Sequence, residues 1–326
     1  MQYREKVEVN DVYQKITDRI ISELEQGVQP WFKPWSGGNM AGKVVLPLRS
    51  TGEEYRGINI ISLWMTAVSA SYSCNYWFTF KQALALGGNV RKGEKGSLVV
   101  YANSITKTEQ NKEGEDETKT IPFLKGYTVF NGDQCDGLPV RFYPKAEPLP
   151  VVTAQRIDSA EAFFDATGAR VRYGGNRAYY APSLDHIQLP PFESFRDAES
   201  YTATKAHEFI HWTGHKSRLD RDLSGSFGTM DYAKEELVAE LGSAFLCADL
   251  KITPEIREDH AAYIATWLKV LKDDKRLIFR AAAQAQKAAD LLHNYQPSAE
   301  ATQDKTETLE VSYHPSRAAV SVPTLG

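Results

Sequence analysis

The sequence His-Glu-Phe-Ile-His at positions 207–211 places two imidazoles four residues apart, with a carboxylate directly after the first. On an α-helix, positions four apart lie on one face, so His207 and His211 can reach the same cation. The preceding stretch, 197–206, contains neither Gly nor Pro, and the two residues before the second His are apolar, as in a buried helix. The segment therefore predicts a helix that carries a zinc site, with Glu208 beside the metal.

The site needs a third protein ligand, because catalytic zinc commonly has three of them and a water molecule. One template places a third His six residues after the second, but that position is Ser217, and His215 is out of register. The other template takes a Glu from a later helix. The acidic segment 232–245 has the composition of such a helix, and we predict Glu236 as the third ligand.

Two further glutamates flank this predicted ligand. Glu240 follows Glu236 by one helical turn, so we expect it to accept a hydrogen bond from the outer nitrogen of a ligand His. Glu235 points roughly 100° away around the helix and is predicted to be solvated. The alternative is that these glutamates form an ordinary charged helix face and that His207 and His211 are surface or core histidines.

Such a site has the parts for amide hydrolysis. A metal ion lowers the pKa of its bound water from about 16 to about 7, and Glu208 would accept the proton that is released. The developing oxyanion needs a hydrogen-bond donor, for which the candidates are His260 and Tyr263 on a later helix. The alternative for both residues is a packing role.

The composition predicts a soluble cytoplasmic protein. With 326 residues and 42% hydrophobic content, the chain can bury a core in each of two domains. No run approaches the ~20 apolar residues of a membrane span, and the first residues are not a secretory signal. The three cysteines have no pair spacing, which argues against disulfides and thiolate zinc sites and favours a reducing compartment.

Periodicity and helix breakers predict an α+β fold in two domains. We assign residues 1–142 to a front domain, 143–152 to a proline-rich linker, 153–296 to a back domain with the metal motif, and 297–326 to a disordered tail. The predicted elements are helices over 10–26, 59–70 and 154–167, strands over 97–102, 126–131, 171–173, 178–180 and 186–189, and an exposed loop or hairpin tip over 107–120.

The front domain is aromatic and locally cationic. It holds four of the six tryptophans, and between residues 30 and 100 there are eight basic residues and three acidic ones. Single-stranded nucleic acid is held by cations at its phosphates and by flat side chains at its bases, each stack contributing about 1–3 kcal/mol. The net charge of −4 excludes both general basicity and the acidity of a DNA mimic. The candidate DNA-binding residues are Trp31, Lys33, Trp35, Tyr55, Arg56, Tyr76, Trp77, Lys81, Arg91, Lys92 and Lys95.

Several motifs together resemble the ArdC-type antirestriction proteins. The segments 207–215 and 235–240 are similar to the zincin-like metallopeptidase domain of that family, and five front-domain motifs are similar to its amino-terminal domain. These five motifs are Trp31–Trp35, Tyr55–Asn59, Thr79–Gln82, Gly87–Gly96 and Val129–Gln134. The resemblance covers about residues 5–295 and implies a single-stranded-DNA-binding front domain joined to a gluzincin-type metallopeptidase domain.

The resemblance also implies a role on conjugative plasmids, where the protein would protect incoming DNA from host restriction. It implies His207, His211 and Glu236 as metal ligands, Glu208 as the base, and single-stranded DNA and a protein substrate or the restriction machinery as partners. Zn²⁺ and Mn²⁺ both stay open as the metal, because sites of two His and one Glu accept several cations. Two alternatives stay open. The protein could be a metallopeptidase whose front domain recruits a protein substrate, or a DNA-binding protein whose metal is only structural.

Overall fold

The structure is a computed structural model that describes residues 9–32, 45–110, 116–143, 154–225, 229–252 and 260–297. The predicted linker and tail lie almost wholly outside these ranges. Within them, no helix has the length and apolar character needed to cross a membrane. The helices are α1 (Val9–Glu25), α2 (Ile58–Ala70), α3 (Phe80–Ala85), α4 (Ala154–Asp165), α5 (Ala198–Thr213), α6 (Met230–Asp249), α7 (His260–Asp273) and α8 (Leu277–Asn294). The strands are β1 (Leu48–Arg49), β2 (Tyr76–Phe78), β3 (Asn89–Val90), β4 (Ser97–Gln110), β5 (Asp116–Asn131), β6 (Cys135–Asp136), β7 (Val171–Tyr173), β8 (Tyr179–Ala181) and β9 (His186–Leu189).

The front half contains a four-stranded sheet in the order β1-β2-β5-β4, beside the small β3-β6 pair. Strands β4 and β5 form a long antiparallel hairpin whose register runs from Ser97↔Val129 to Gln110↔Asp116. Of the two alternatives predicted for 107–120, the hairpin tip is confirmed, because 107–110 and 116–120 are paired strand residues at the end of this hairpin. Residues 111–115 lie outside the description. Threonines alternate with charged residues at 106–109 and at 117–120, and β-branched residues favour strands even between charged neighbours.

The back half contains a three-stranded sheet in the order β7-β9-β8, followed by the long helices. The predicted helix at 154 and the three predicted strands are confirmed, with end points that differ by at most two residues. Two side-chain caps set where the metal-bearing helices begin. The Ser200 amide donates to the Asp197 carboxylate at 2.7 Å at the start of α5, and the Tyr232 amide donates to Thr229 Oγ1 at 3.3 Å at the start of α6.

Helices of both halves share one hydrophobic core. The Trp31 ring lies 5.6 Å from the Trp267 ring of α7, and the Trp64 ring of α2 lies 6.2 Å from the Phe245 ring of α6. Large aromatic rings dominate such contacts because each of them removes much apolar surface from water. The helices that carry the metal motif therefore pack directly against the front half, within the predicted α+β architecture.

We predict that α1 stabilises the back half as well as the front half. Ile20 is fully buried in the shared core, so Ile20→Ala should lower the free energy of unfolding by about 2–5 kcal/mol. Hydrogen exchange should show reduced amide protection in α7 and α8 as well as in α1. Val140→Ala, at a site that is 79% exposed, is the control and should change stability by less than about 0.5 kcal/mol. Unchanged protection in α7 and α8 would contradict a shared core.

Candidate metal centre

The metal centre depends on a close approach between α5 and α6. A Cβ atom at Gly242 of α6 would lie 2.8 Å from Cδ1 of Ile210 of α5, so no larger residue fits at this crossing without a shift. Glycine within a helix costs about 1 kcal/mol relative to alanine, and the tight packing offsets that cost. The Ser243 hydroxyl also donates to the Ala203 carbonyl across the crossing at 3.3 Å. The acidic face of α6 is thereby brought to the two histidines of α5.

The structure brings the three residues predicted as ligands together. The Nε2 atoms of His207 and His211 are 3.2 Å apart. The two carboxylate oxygens of Glu236 lie 3.5 Å from Nε2 of His207 and 3.4 Å from Nε2 of His211. One ligand atom from each residue can be chosen so that all three lie within 4.8 Å of one another. Two imidazoles and one carboxylate suit Zn²⁺ and also other divalent first-row metals, including Mn²⁺.

The charge around these three residues fits a divalent cation. Glu208, Glu236 and Glu240 are buried, and the side chain of Glu235 is only 10% exposed. Arg221, which is ion-paired with Glu235, contributes one positive charge to this group. Four carboxylates and one guanidinium leave an excess of negative charge on side chains that are largely buried, which is costly unless it is neutralised. A bound divalent cation would offset most of that excess.

The pKa values of Glu236 and His211 reflect the attraction between the carboxylates and the imidazoles. Burial opposes the charged form of Glu236, but hydrogen bonds with His207 and His211 outweigh it and hold the pKa of the carboxyl below its usual range. Burial also opposes protonation of His211, but Glu235 and Glu236 together raise its pKa to about 10. A cation would therefore enter an ionised carboxylate site and displace a proton from an imidazole.

The outer nitrogens of both histidines face carboxylates. Nδ1 of His207 lies 3.5 Å from the Glu240 carboxylate, the partner predicted from the sequence. Nδ1 of His211 lies 3.1 Å from the Glu235 carboxylate. If Nε2 binds a cation, Nδ1 carries the proton and faces the carboxylate, which would fix the tautomer and the orientation of the ring.

The prediction that Glu235 is solvated is wrong. Arg221 returns from the loop after α5 and donates to both Glu235 oxygens, at 3.0 Å and 2.8 Å. Its guanidinium also donates to the Ile210 carbonyl at 2.7 Å and to Thr213 Oγ1 at 2.8 Å, both near the end of α5. The angle around one helix gives no information on a loop that folds back over it. Arg221 therefore ties the end of the ligand helix to the carboxylate that orients His211.

A cavity of about 490 Å³ opens onto the ligands and is lined in part by Glu208, Tyr232 and Tyr263. The Tyr263 hydroxyl, a predicted oxyanion donor, lies 3.5 Å from the Tyr232 hydroxyl. Burial and the charge of Glu236 raise the pKa of Tyr232 far above its usual range, so the phenol keeps its proton. Sequence reasoning missed Tyr232, although its position one turn before Glu236 is a signal that places it on the ligand face. The side chain of His260, the other predicted donor, lies outside the described part of the chain.

The candidate DNA-binding aromatics include three that cannot stack on a base. Trp31 is 0% exposed, Trp77 1% and Tyr55 3%, because their rings fill the hydrophobic cores. This corrects the prediction for these residues, since stacking requires an accessible ring face. The half-buried Tyr76 packs edge-on against Phe142, with ring centroids 5.1 Å apart.

The basic candidates divide into paired and exposed residues. Arg56 forms an ion pair with Asp290 of α8, and Arg91 forms ion pairs with Glu94 at 2.8 Å and Asp136 at 3.4 Å. Their charges are therefore partly neutralised within the protein. The remaining described candidates, Lys81, Lys92 and Lys95, are exposed. The candidates Lys33 and Trp35 lie outside the described residues.

Comparison with known sequence families assigns both halves. Residues 10–130 match the N-terminal domain of anti-restriction factor ArdC, and residues 158–284 match a zincin-like metallopeptidase family. An uncharacterized protein, y4eC, of Sinorhizobium fredii is 43% identical over 295 residues, which cover 89% of this chain and 94% of that protein. A DNA primase TraC of Escherichia coli is 38% identical over 324 residues, and the match covers 94% of this chain but only 29% of the primase.

Solved structures of the antirestriction protein ArdC from plasmid R388 share the fold. The metal-free form is 50% identical with a TM-score of 0.74, over 87% of this chain and 97% of that one. The Mn(II)-bound form is 49% identical with a TM-score of 0.73, over 89% of this chain and 99% of that one. The predicted α+β arrangement of a front domain and a zincin-like back domain is confirmed. The chain therefore belongs to the ArdC family of antirestriction proteins.

Proposed function

We propose that this chain protects incoming plasmid DNA from host restriction during conjugation. In this proposal the front domain, residues 1–142, binds single-stranded DNA, and the back domain, residues 153–296, holds Zn²⁺ or Mn²⁺ and acts on a peptide bond. The observation that carries the proposal is the convergence of His207, His211 and Glu236 in a chain that is 50% identical to an antirestriction protein. Similarity to the primase TraC adds a link to enzymes that act on DNA.

The side chains around the cavity provide the groups that amide hydrolysis requires. The bound cation would lower the pKa of a water molecule to about 7 and polarise a carbonyl. Glu208 follows the first ligand and lines the cavity, so its carboxylate can take a proton from water and deliver it to the leaving amine. The protonated Tyr232 hydroxyl can donate to a developing oxyanion, and Tyr263, whose hydroxyl it faces, positions it.

We predict that Glu208→Gln removes peptide hydrolysis and leaves metal binding intact. Loss of a general base should lower turnover of a fluorogenic peptide library by about 10²–10⁴-fold. Elemental analysis should find an unchanged metal content, because Glu208 is not one of the three clustered ligands. Glu199→Gln is the matched control in the first turn of α5 and should keep wild-type turnover. If the metal-loaded wild type cleaves no peptide, the alternative of a structural metal is favoured.

We predict that Glu235→Gln weakens metal binding about 10- to 100-fold, the usual effect of losing an outer-sphere carboxylate. The neutral amide binds Arg221 less strongly and no longer stabilises the orientation of His211 through a charged hydrogen bond. Competition with a chromophoric chelator measures the affinity directly. Asp231→Asn, at an exposed position in the first turn of α6, should bind metal like the wild type. Equal affinity in both variants would rule out the proposed role of Glu235.

We predict that the protein binds single-stranded DNA in preference to duplex DNA. The affinity should fall with salt, with a log–log slope of about −0.7 for each phosphate contact to a single strand. Gel shifts with matched single-stranded and duplex oligonucleotides across salt concentrations test this preference. Equal binding of both forms, or binding of neither, would reject the DNA-binding part of the proposal. Binding of neither would favour the alternative in which the front domain recruits a protein.

A further inference from the structure

Phe80 is an exposed aromatic residue of the front half. Its side chain is 49% exposed, although large apolar side chains more often lie inside a protein. It is the first residue of α3, directly after the capping residue Thr79. The Thr79 hydroxyl accepts from the Gln82 amide at 3.2 Å, and the Thr79 amide donates to the Gln82 side chain at 2.8 Å. This reciprocal cap fixes the backbone conformation at the start of α3, where Phe80 lies.

The exposed ring lies beside the loop that carries two lysines. The Phe80 and Phe130 rings are in edge contact, with centroids 6.5 Å apart. A Cβ atom at Gly96 would be only 3.1 Å from the Phe130 ring, so the Gly96 backbone lies against that ring. Lys95 directly precedes Gly96, and Lys92 precedes it by four residues. Phe80, Phe130 and the loop 91–96 thus form one continuous surface.

The loop is held in place by contacts that leave its lysines available. The Arg91 guanidinium donates to the Asp133 carbonyl at 2.6 Å, and the Gln134 amide donates to the Lys95 carbonyl at 2.9 Å and to the Glu94 carboxylate at 3.0 Å. In the part of the chain that the structure describes, Lys81, Lys92 and Lys95 are exposed and take part in no ion pair. A fixed loop loses little conformational entropy on binding, which favours affinity.

From these contacts we infer that Phe80, with the flanking Lys81, Lys92 and Lys95, is the surface on which single-stranded DNA stacks a base and places its phosphates. The inference rests on the proposed DNA-binding function and names its contact residues. An exposed ring next to unpaired cations complements an unstacked base joined to phosphates. A duplex keeps its bases stacked inside and offers no ring face to Phe80, so the surface selects single strands.

Fluorescence anisotropy of the full chain with a labelled oligothymidine tests the assignment. Phe80→Ala should weaken binding about 5- to 150-fold, the range expected for the loss of one base stack. Phe80→Trp should retain the affinity, and the introduced indole should be quenched when the oligonucleotide binds. Lys95→Ala should lower the magnitude of the salt slope by about 0.7, the contribution of one phosphate contact.

Two matched controls distinguish binding at this surface from the general effect of losing an exposed aromatic ring or an exposed lysine. Tyr101 on β4 is an aromatic residue of similar exposure, 47%, and Tyr101→Ala should leave the affinity unchanged. Lys287→Ala changes an exposed lysine of α8 and should leave the salt slope unchanged. The inference is overturned if the wild type binds and Phe80→Ala binds equally well, or if Tyr101→Ala weakens binding as much. If the wild type binds no single-stranded DNA, the proposed function itself fails.

Discussion

The close crossing of α5 and α6 is the constraint on which the candidate centre depends. At this crossing Gly242 leaves no room for a side chain against Ile210, and the acidic face of α6 meets the two histidines of α5 as a result. A wider separation would leave Glu236 too far from the imidazoles to share a cation with them. The negative charge of the site then favours a cation there, because buried carboxylates are costly unless they are neutralised. Packing and charge are therefore linked, since the close approach of the two helices places the carboxylates beside the imidazoles.

Arg221 neutralises part of this negative charge from within the protein. A single guanidinium could not neutralise four carboxylates, and its five donors are used at specific places. Two of its contacts go to Glu235, and two others go to the end of α5. Glu235 is thereby held by a fixed partner and can orient His211 without binding the metal itself. The carboxylate of Glu236 is left to the two imidazoles, with which it can share a cation.

The sequence predicts the cluster of candidate ligands from helical spacing for the two histidines and from the template of a glutamate on a later helix for Glu236. His207 and His211 share a face by geometry, and Glu236 is separated from Glu240 by one turn. The same rule would have found Tyr232, one turn earlier, had it been applied toward the N-terminus. It could not place Arg221, because no local pattern indicates where a loop folds back. Composition left a loop and a hairpin tip open for 107–120, and it could not show how far the β4–β5 pairing extends toward that tip.

Three of the aromatic candidates, Trp31, Tyr55 and Trp77, are wrong because composition does not report burial. Counting aromatic and basic residues finds a region that is rich in both, but it cannot tell an exposed ring from a buried one. Trp31 and Trp64 pack against Trp267 and Phe245 of the back half, so their apolar area joins the two halves. A ring used in this way has no face left for a base. The front half must therefore bind any ligand with the side chains that packing leaves exposed. Its tryptophans share a core with α6 and α7, so the front half is packed directly against helix α6, which carries Glu236.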